Sequence, residues 1–153
     1  MKDDQLTLRL AQPDDSQQLA EIAQQAYGTY VEELDEPPAP LRLDYSRVAS
    51  SGRTYVAEEA GKLQGMVTVE RHDSHMVLRN LAVRPSCQGR GIGTKLVSFV
   101  EEFARDAGMD AVSLWTRVEM HDNIAFYQRR NYTVTHHEHS EQASRVFFLK
   151  KLR

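Results

Sequence analysis

Leu78-Arg79-Asn80-Leu81-Ala82-Val83-Arg84-Pro85-Ser86-Cys87-Gln88-Gly89-Arg90-Gly91-Ile92-Gly93-Thr94 runs from an apolar strand, through a proline, into a glycine-bearing segment. Beyond it Leu96, Val100, Phe103 and Ala107 recur at helical spacing until Gly108 closes the helix. Strand, tight loop and helix together gather unpaired backbone N–H groups at a positive helix end, which is an anion site for a phosphate. Glycine there lets a ligand oxygen approach the main chain. The dinucleotide fingerprint fails because Thr94 stands where it needs glycine, and the nucleoside triphosphate loop fails because Lys95 follows Thr94 rather than preceding it. Taken alone, a turn that merely starts a helix stays an equal alternative.

Upstream, Leu6, Leu8 and Leu10 alternate with polar residues as in a half-buried strand, and Pro13-Asp14-Asp15-Ser16 supplies a stop and a helix cap. Leu19, Ile22, Ala23 and Ala26 form one apolar face of a helix running to about Tyr27, with Gly28 at its end. Glu32-Glu33-Leu34-Asp35-Glu36-Pro37-Pro38-Ala39-Pro40 reads as an acidic exposed loop, since proline removes a donor and restricts its predecessor. A short helix is expected over 41–49. Three strands follow as an antiparallel meander, 54–57, 63–70 and 76–83, with turns at Gly61 and at Arg71-His72-Asp73-Ser74. After the helix come a strand over 111–116, a short helix over 123–130, and strands over 132–135 and 146–150. No repeat or linker interrupts the pattern, which predicts one α+β domain over 1–153 with a mixed, mostly antiparallel sheet flanked by helices on both faces.

The chain has 153 residues, with 19 Lys and Arg against 22 Asp and Glu, a net charge of −3 that excludes a strongly basic nucleic-acid binder. Apolar residues make up 41% and charged ones 27%, a globular composition. No apolar run reaches membrane-spanning length and residues 1–5 do not resemble a signal peptide, so a cytoplasmic protein is expected. The lone Cys87 suits a reducing compartment and is too little for a cysteine metal site. It could act as a nucleophile but has no base fixed near it, so a bystander beside the loop is preferred. His136-His137-Glu138-His139 lacks the spaced second pair a tetrahedral zinc site needs, so no metal is expected. Trp115 is read as core.

The run 78–93 resembles the acyl-coenzyme A signature of the GCN5-related N-acetyltransferase (GNAT) family: an apolar strand, a proline, then Gln/Arg-x-x-Gly-x-Gly/Ala. The order of elements is similar throughout, most specifically over 78–94 and 119–132. The resemblance implies acetyl-coenzyme A as cosubstrate. The backbone of Gln88, Gly89, Arg90, Gly91, Ile92, Gly93 and Thr94 would cradle its pyrophosphate, and Leu81, Ala82 and Val83 would hold the pantetheine arm. It also implies that the neighbouring strand splays away to open a cleft, and that the Leu81 N–H meets the thioester oxygen. Tyr127 would protonate the departing thiolate, being a phenol with a reference pKa near 10 facing a base of about 8.5. Asn123, one helical turn earlier, would bind pantetheine or orient Tyr127. Where many members have asparagine this chain has Met120, and Asn131-Tyr132 replaces their Gly-Phe. For the general base, Glu119 ranks first, ahead of Glu70 and Glu33.

The implied activity is direct N-acetylation of a primary amine in a ternary complex. The alternatives are a non-catalytic acyl-coenzyme A sensor or interaction module and an unrelated nucleotide-binding protein. A polyamine, amino acid, antibiotic or protein amino group would fit as acceptor, and the resemblance allows a homodimer. Residues 1–60 carry 5 basic and 12 acidic side chains and the remainder 14 and 10. Arg84, Arg90 and Lys95 surround the expected phosphate site, and Glu32, Glu33, Asp35 and Glu36 lie in a loop expected beside the acceptor, so a cationic acceptor is preferred.

Overall fold

Residues 5–32, 34 and 37–152 are described by a computed structural model. The strands are β1 (Thr7–Leu10), β2 (Thr54–Glu59), β3 (Lys62–Arg71), β4 (His75–Val83), β5 (Ala111–Arg117), β6 (Thr133–His139) and β7 (Ser144–Lys151). The helices are α1 (Ser16–Tyr27), α2 (Tyr45–Ser50), α3 (Ile92–Asp106) and α4 (His121–Arg129). One seven-stranded sheet has the order β1-β2-β3-β4-β5-β7-β6. Its ladders are antiparallel apart from β4 with β5. The mixed, mostly antiparallel α+β architecture is therefore as the hydrophobic periods predict.

Turn chemistry sets the meander. Ala60 and Gly61 both have positive φ, 52° and 78°, as a two-residue type I′ hairpin requires. Gly108, at φ 77°, lies just past the end of α3 in the left-handed conformation that ends helices.

Two apolar clusters lie on opposite faces of the sheet. Leu96, Val97, Val100 and Ala104 of α3 pack with Val67, Leu78, Val112 and Phe148. Burying each of the larger side chains contributes about 1.5–3 kcal/mol relative to exposure. On the other face Leu19, Ile22 and Ala23 of α1 and Tyr45 and Ala49 of α2 pack with Val56, Leu63, Met66 and Ala82. That second cluster draws on β2, β3 and β4 but takes no residue from β5, β6 or β7. Among the described residues the α1–α2 cluster therefore does not extend over the C-terminal half of the sheet, where Trp115, Arg117, Arg145 and Phe147 stand. Trp115 is half-buried rather than core, outside both clusters.

Arg84 is a correction to the sequence reading. It is 3% exposed, and its guanidinium donates to the Leu63 carbonyl at 2.7 Å, to Gln25 at 3.3 Å and to Glu21 at 3.4 Å. It ties β4 to α1 instead of facing a phosphate.

Candidate active site

β4 and β5 pair at three positions, His75 with Ala111, Met76 with Val112 and Val77 with Ser113, and then part. On the other side, a register shift leaves Asn80 and Leu81 of β4 together opposite Val67 of β3. This bulge turns on Asn80, whose φ of 53° is one that asparagine tolerates better than most residues. The Tyr27 hydroxyl, at the end of α1, donates to the Leu81 carbonyl at 2.8 Å and holds the bulged strand against the helix layer. Splay and bulge together open a cleft along residues 78–83.

One cavity, of about 800 Å³, runs from this cleft to the start of α3. Leu81, Ala82, Val83, Gln88, Gly89, Gly91, Ile92, Gly93, Thr94 and Asn123 all border it. Gly91 caps α3 at φ 81°, and the first bond of the helix is Lys95 N–H to the Gly91 carbonyl at 3.0 Å. The amides of residues 91–94 precede that bond and stand at the helix's positive end. A Cβ on Gly93 would lie 3.3 Å from the Phe126 ring, so glycine lets α4 close against α3.

Arg90 does not border this cavity among the described residues, and its guanidinium pairs with Glu59 at 2.5 Å, holding the Glu59 carboxyl below its usual range. Two cations that sequence reasoning missed do border it, Arg129 and Arg130. Arg130 lies over the Phe126 ring at 3.6 Å and donates to the Phe126 carbonyl at 2.8 Å and to the Thr94 hydroxyl at 3.1 Å. Buried Cys87 donates to Gln64 at 3.0 Å, beside the loop.

A second cavity, of about 520 Å³, opens on the α1–α2 side of the sheet. Tyr27, Leu81, Met120, Asn123 and Tyr127 border both cavities and form their junction. Tyr127 is 5% exposed, and its hydroxyl has no hydrogen-bond partner among the described residues. Burial pushes its pKa well above the ordinary phenol value, so the proton stays on at any physiological pH.

Glu119 borders neither cavity; its carboxylate lies 3.7 Å from Arg117 Nε. Glu70 does border the second cavity, and Glu33 lies outside the described residues. Among the described residues the second lining carries Arg42, Arg47, Arg53, Arg79, Arg117 and Arg145 together with the carboxylate of Glu70. Of the acidic loop thought to attract a cationic acceptor, Glu33, Asp35 and Glu36 lie outside the described residues. His136, His137, Glu138 and His139 lie exposed on β6, with His136 stacked on Phe147 at 4.3 Å. No group of three or more His, Cys, Asp and Glu able to hold a metal occurs among the described residues.

The acetyltransferase (GNAT) family model matches residues 16–132. The chain belongs to that family. Among curated GNAT relatives, the aminoalkylphosphonate N-acetyltransferase of Salmonella typhimurium is 30% identical over 82 residues, 50% of this chain and 53% of that protein. The IAA acetyltransferase of Azospirillum brasilense is 28% identical over 119 residues, 71% of this chain and 78% of its own. The chain thus spans about half the length of the first of these relatives. Among solved structures, the PaiA N-acetyltransferase of Thermoplasma acidophilum in complex with coenzyme A has a TM-score of 0.80 at 17% identity, covering 96% of this chain and 99% of that one. That likeness shows the fold that the two chains share. No helix among the described residues is long and apolar enough to cross a membrane.

Proposed function

We propose that this chain transfers the acetyl group of acetyl-coenzyme A directly to a primary amine, the two substrates being bound together. The observation that carries the proposal is the meeting of two cavities at Tyr127, one ending on the glycine loop and the other on the α1–α2 side of the sheet. A long cofactor entering along the first presents its reactive end to a second molecule in the other. The amides of residues 88–94 receive the pyrophosphate, with Arg130 beside them. The main chain of Leu81, Ala82 and Val83 runs along the pantetheine arm, and the Leu81 N–H, released from the ladder by the bulge, faces the thioester oxygen. Asn123 holds the pantetheine near the junction.

As the amine attacks, negative charge passes to the sulfur and Tyr127 gives it a proton. Burial keeps this phenol protonated but also makes its proton harder to give up, so its placement at the sulfur has to supply the drive; among the described residues its hydroxyl has no competing partner. Glu70, the carboxylate in the described lining of the acceptor cavity, accepts the amine's proton through water. Glu119 is left to hold Arg117.

The names of the curated relatives support acetyl transfer and differ in acceptor, an aminoalkylphosphonate in one and IAA in another. Release of coenzyme A thiol from acetyl-coenzyme A, followed over a panel of amines, tests the proposal. Amine-dependent release supports it. Tight coenzyme A binding with no release for any amine would favour the sensor.

A further inference from the structure

Arg117 of β5 and Arg145 of β7 stand directly opposite each other in the antiparallel ladder. Like charges in that relation destabilise a sheet unless something between them is negative. Their side chains border the acceptor cavity, where four more arginines join them. The described carboxylates nearby leave Arg117 and Arg145 incompletely bonded. Glu119 is 3.7 Å from Arg117 Nε, beyond hydrogen-bond reach, and Glu138, opposite Arg145 in the β6–β7 ladder, lies 3.4 Å from His136 instead. Glu70 is 2.5 Å from Arg79 Nε, yet that nitrogen still lacks a well-directed hydrogen bond. The Nε atoms of Arg79, Arg117 and Arg145 are all buried without a hydrogen-bond partner. Among the described residues Arg145 makes no ion pair; it lies 4.5 Å over the Trp115 ring, which supports one face of the guanidinium and leaves its N–H edge free.

Buried donors without hydrogen bonds, Arg145 Nε above all, are costly to maintain unless a ligand completes them. The complementary group is an oxyanion, which a guanidinium fork binds through two parallel hydrogen bonds. One orphan acceptor lies in the same cavity: Asn80 Oδ1 is buried without a partner, next to Leu81 at the junction. An acceptor oxygen beside the thioester suits an amine N–H.

We propose that the acceptor is an amine bearing an anionic group, a carboxylate or a phosphate. Arg117 and Arg145 receive the anion, and Asn80 Oδ1 receives the amine beside Leu81. This rests on the transferase assignment above and specifies its substrate class. Two opposite ends, each with its own partner, fix the direction in which the acceptor enters.

Thiol release by the full chain is measured with four amines of matched length: an ω-amino carboxylate, an ω-aminoalkyl phosphate, an uncharged alkyl alcohol amine and an α,ω-diamine. Coenzyme A affinity is measured alongside by calorimetry. The expected result is a kcat/KM about 100-fold higher for an anion-bearing amine than for the diamine or the alcohol, the scale of one lost charge-assisted bond pair. The carboxylate and phosphate arms show which anion is used. Arg145→Gln should raise the KM for that amine by about 10-fold or more while Arg145→Lys recovers part of the loss, and each variant's melting curve reports its folding. Preference for the diamine or the alcohol overturns the proposal and leaves the transferase assignment standing. Coenzyme A binding with no transfer to any amine overturns both.

Discussion

Tyr127 is held by packing rather than by hydrogen bonds: its ring meets Phe126 edge-on at 5.2 Å and Tyr132 at 5.7 Å, and tilts against Phe148 at 6.1 Å. Removing its hydroxyl therefore breaks no bond within the protein and should change stability by no more than about 0.5 kcal/mol. Under the proposed mechanism the same change removes the proton donor to sulfur. Tyr127→Phe is expected to lower kcat by about 100-fold with the Kd for coenzyme A unchanged, in steady-state kinetics and calorimetry read together. Burial raises this phenol's pKa, so its acid form persists as pH rises, and kcat should show no alkaline fall by pH 10. The aromatic position is legible in the sequence through the family resemblance. Tyr27 and Arg130 are not, because each acts through a partner distant in the chain, the Leu81 carbonyl for one and Thr94 for the other.

Two elements carry most of the site's geometry, the bulged end of β4 and the loop into α3. At the loop, Gly91 has φ 81° and open space where a side chain would stand. Alanine there meets no atom of the free protein but is forced into a left-handed conformation, costing about 1–2 kcal/mol. It also places a methyl group where the proposed phosphate site lies. Gly91→Ala should thus weaken coenzyme A binding by at least 10-fold while the melting temperature falls by only a few degrees, as calorimetry and thermal melting would record.

A second element-scale device joins β1 to the start of α1. Arg9 clasps Asp15 through bonds of 2.8 and 3.0 Å and reaches Glu58 of β2 at 3.1 Å. The Arg9 hydrogen bonds hold the Asp15 carboxyl below the usual carboxylate range, against the opposing effect of burial. A depressed folded-state pKa means stability that is full above the unfolded value and is lost as pH falls through the folded one, below about pH 4. Urea midpoints should therefore drop more steeply on acidification in the wild type than in Asp15→Asn, and the variant should be less stable at pH 7.

Across the whole molecule, the two halves of the sheet meet along only three β4–β5 residue pairs, and α3 packs across both. The strand and helix periods reveal both halves, because alternation and the 3.6-residue repeat are local properties. They cannot reveal that the α1–α2 layer stops at β4, since that depends on which strands become neighbours. For that reason Trp115 reads as core, and Arg117 and Arg145 pass unnoticed until the β5–β7 register sets them face to face. The acidic N-terminal and basic C-terminal composition is real, yet it averages over residues such as Arg84 that face inward, so composition alone does not say which charges line a cavity.

The seam also shapes how the protein responds to its cofactor. A ligand lying between β4, α3 and α4 contacts elements from both sides of the seam and binds the folded state alone. At 100 times its Kd it adds about 2.7 kcal/mol of stability, which for a chain of this length is a rise in Tm of roughly 5–10 °C. Coenzyme A at that concentration should produce this shift in a thermal melt, while ATP and NAD, which lack the pantetheine arm, should produce little. An equal shift with ATP would mean that the loop binds phosphates without the cleft, and the long cavity along residues 78–83 would then have no part in recognition.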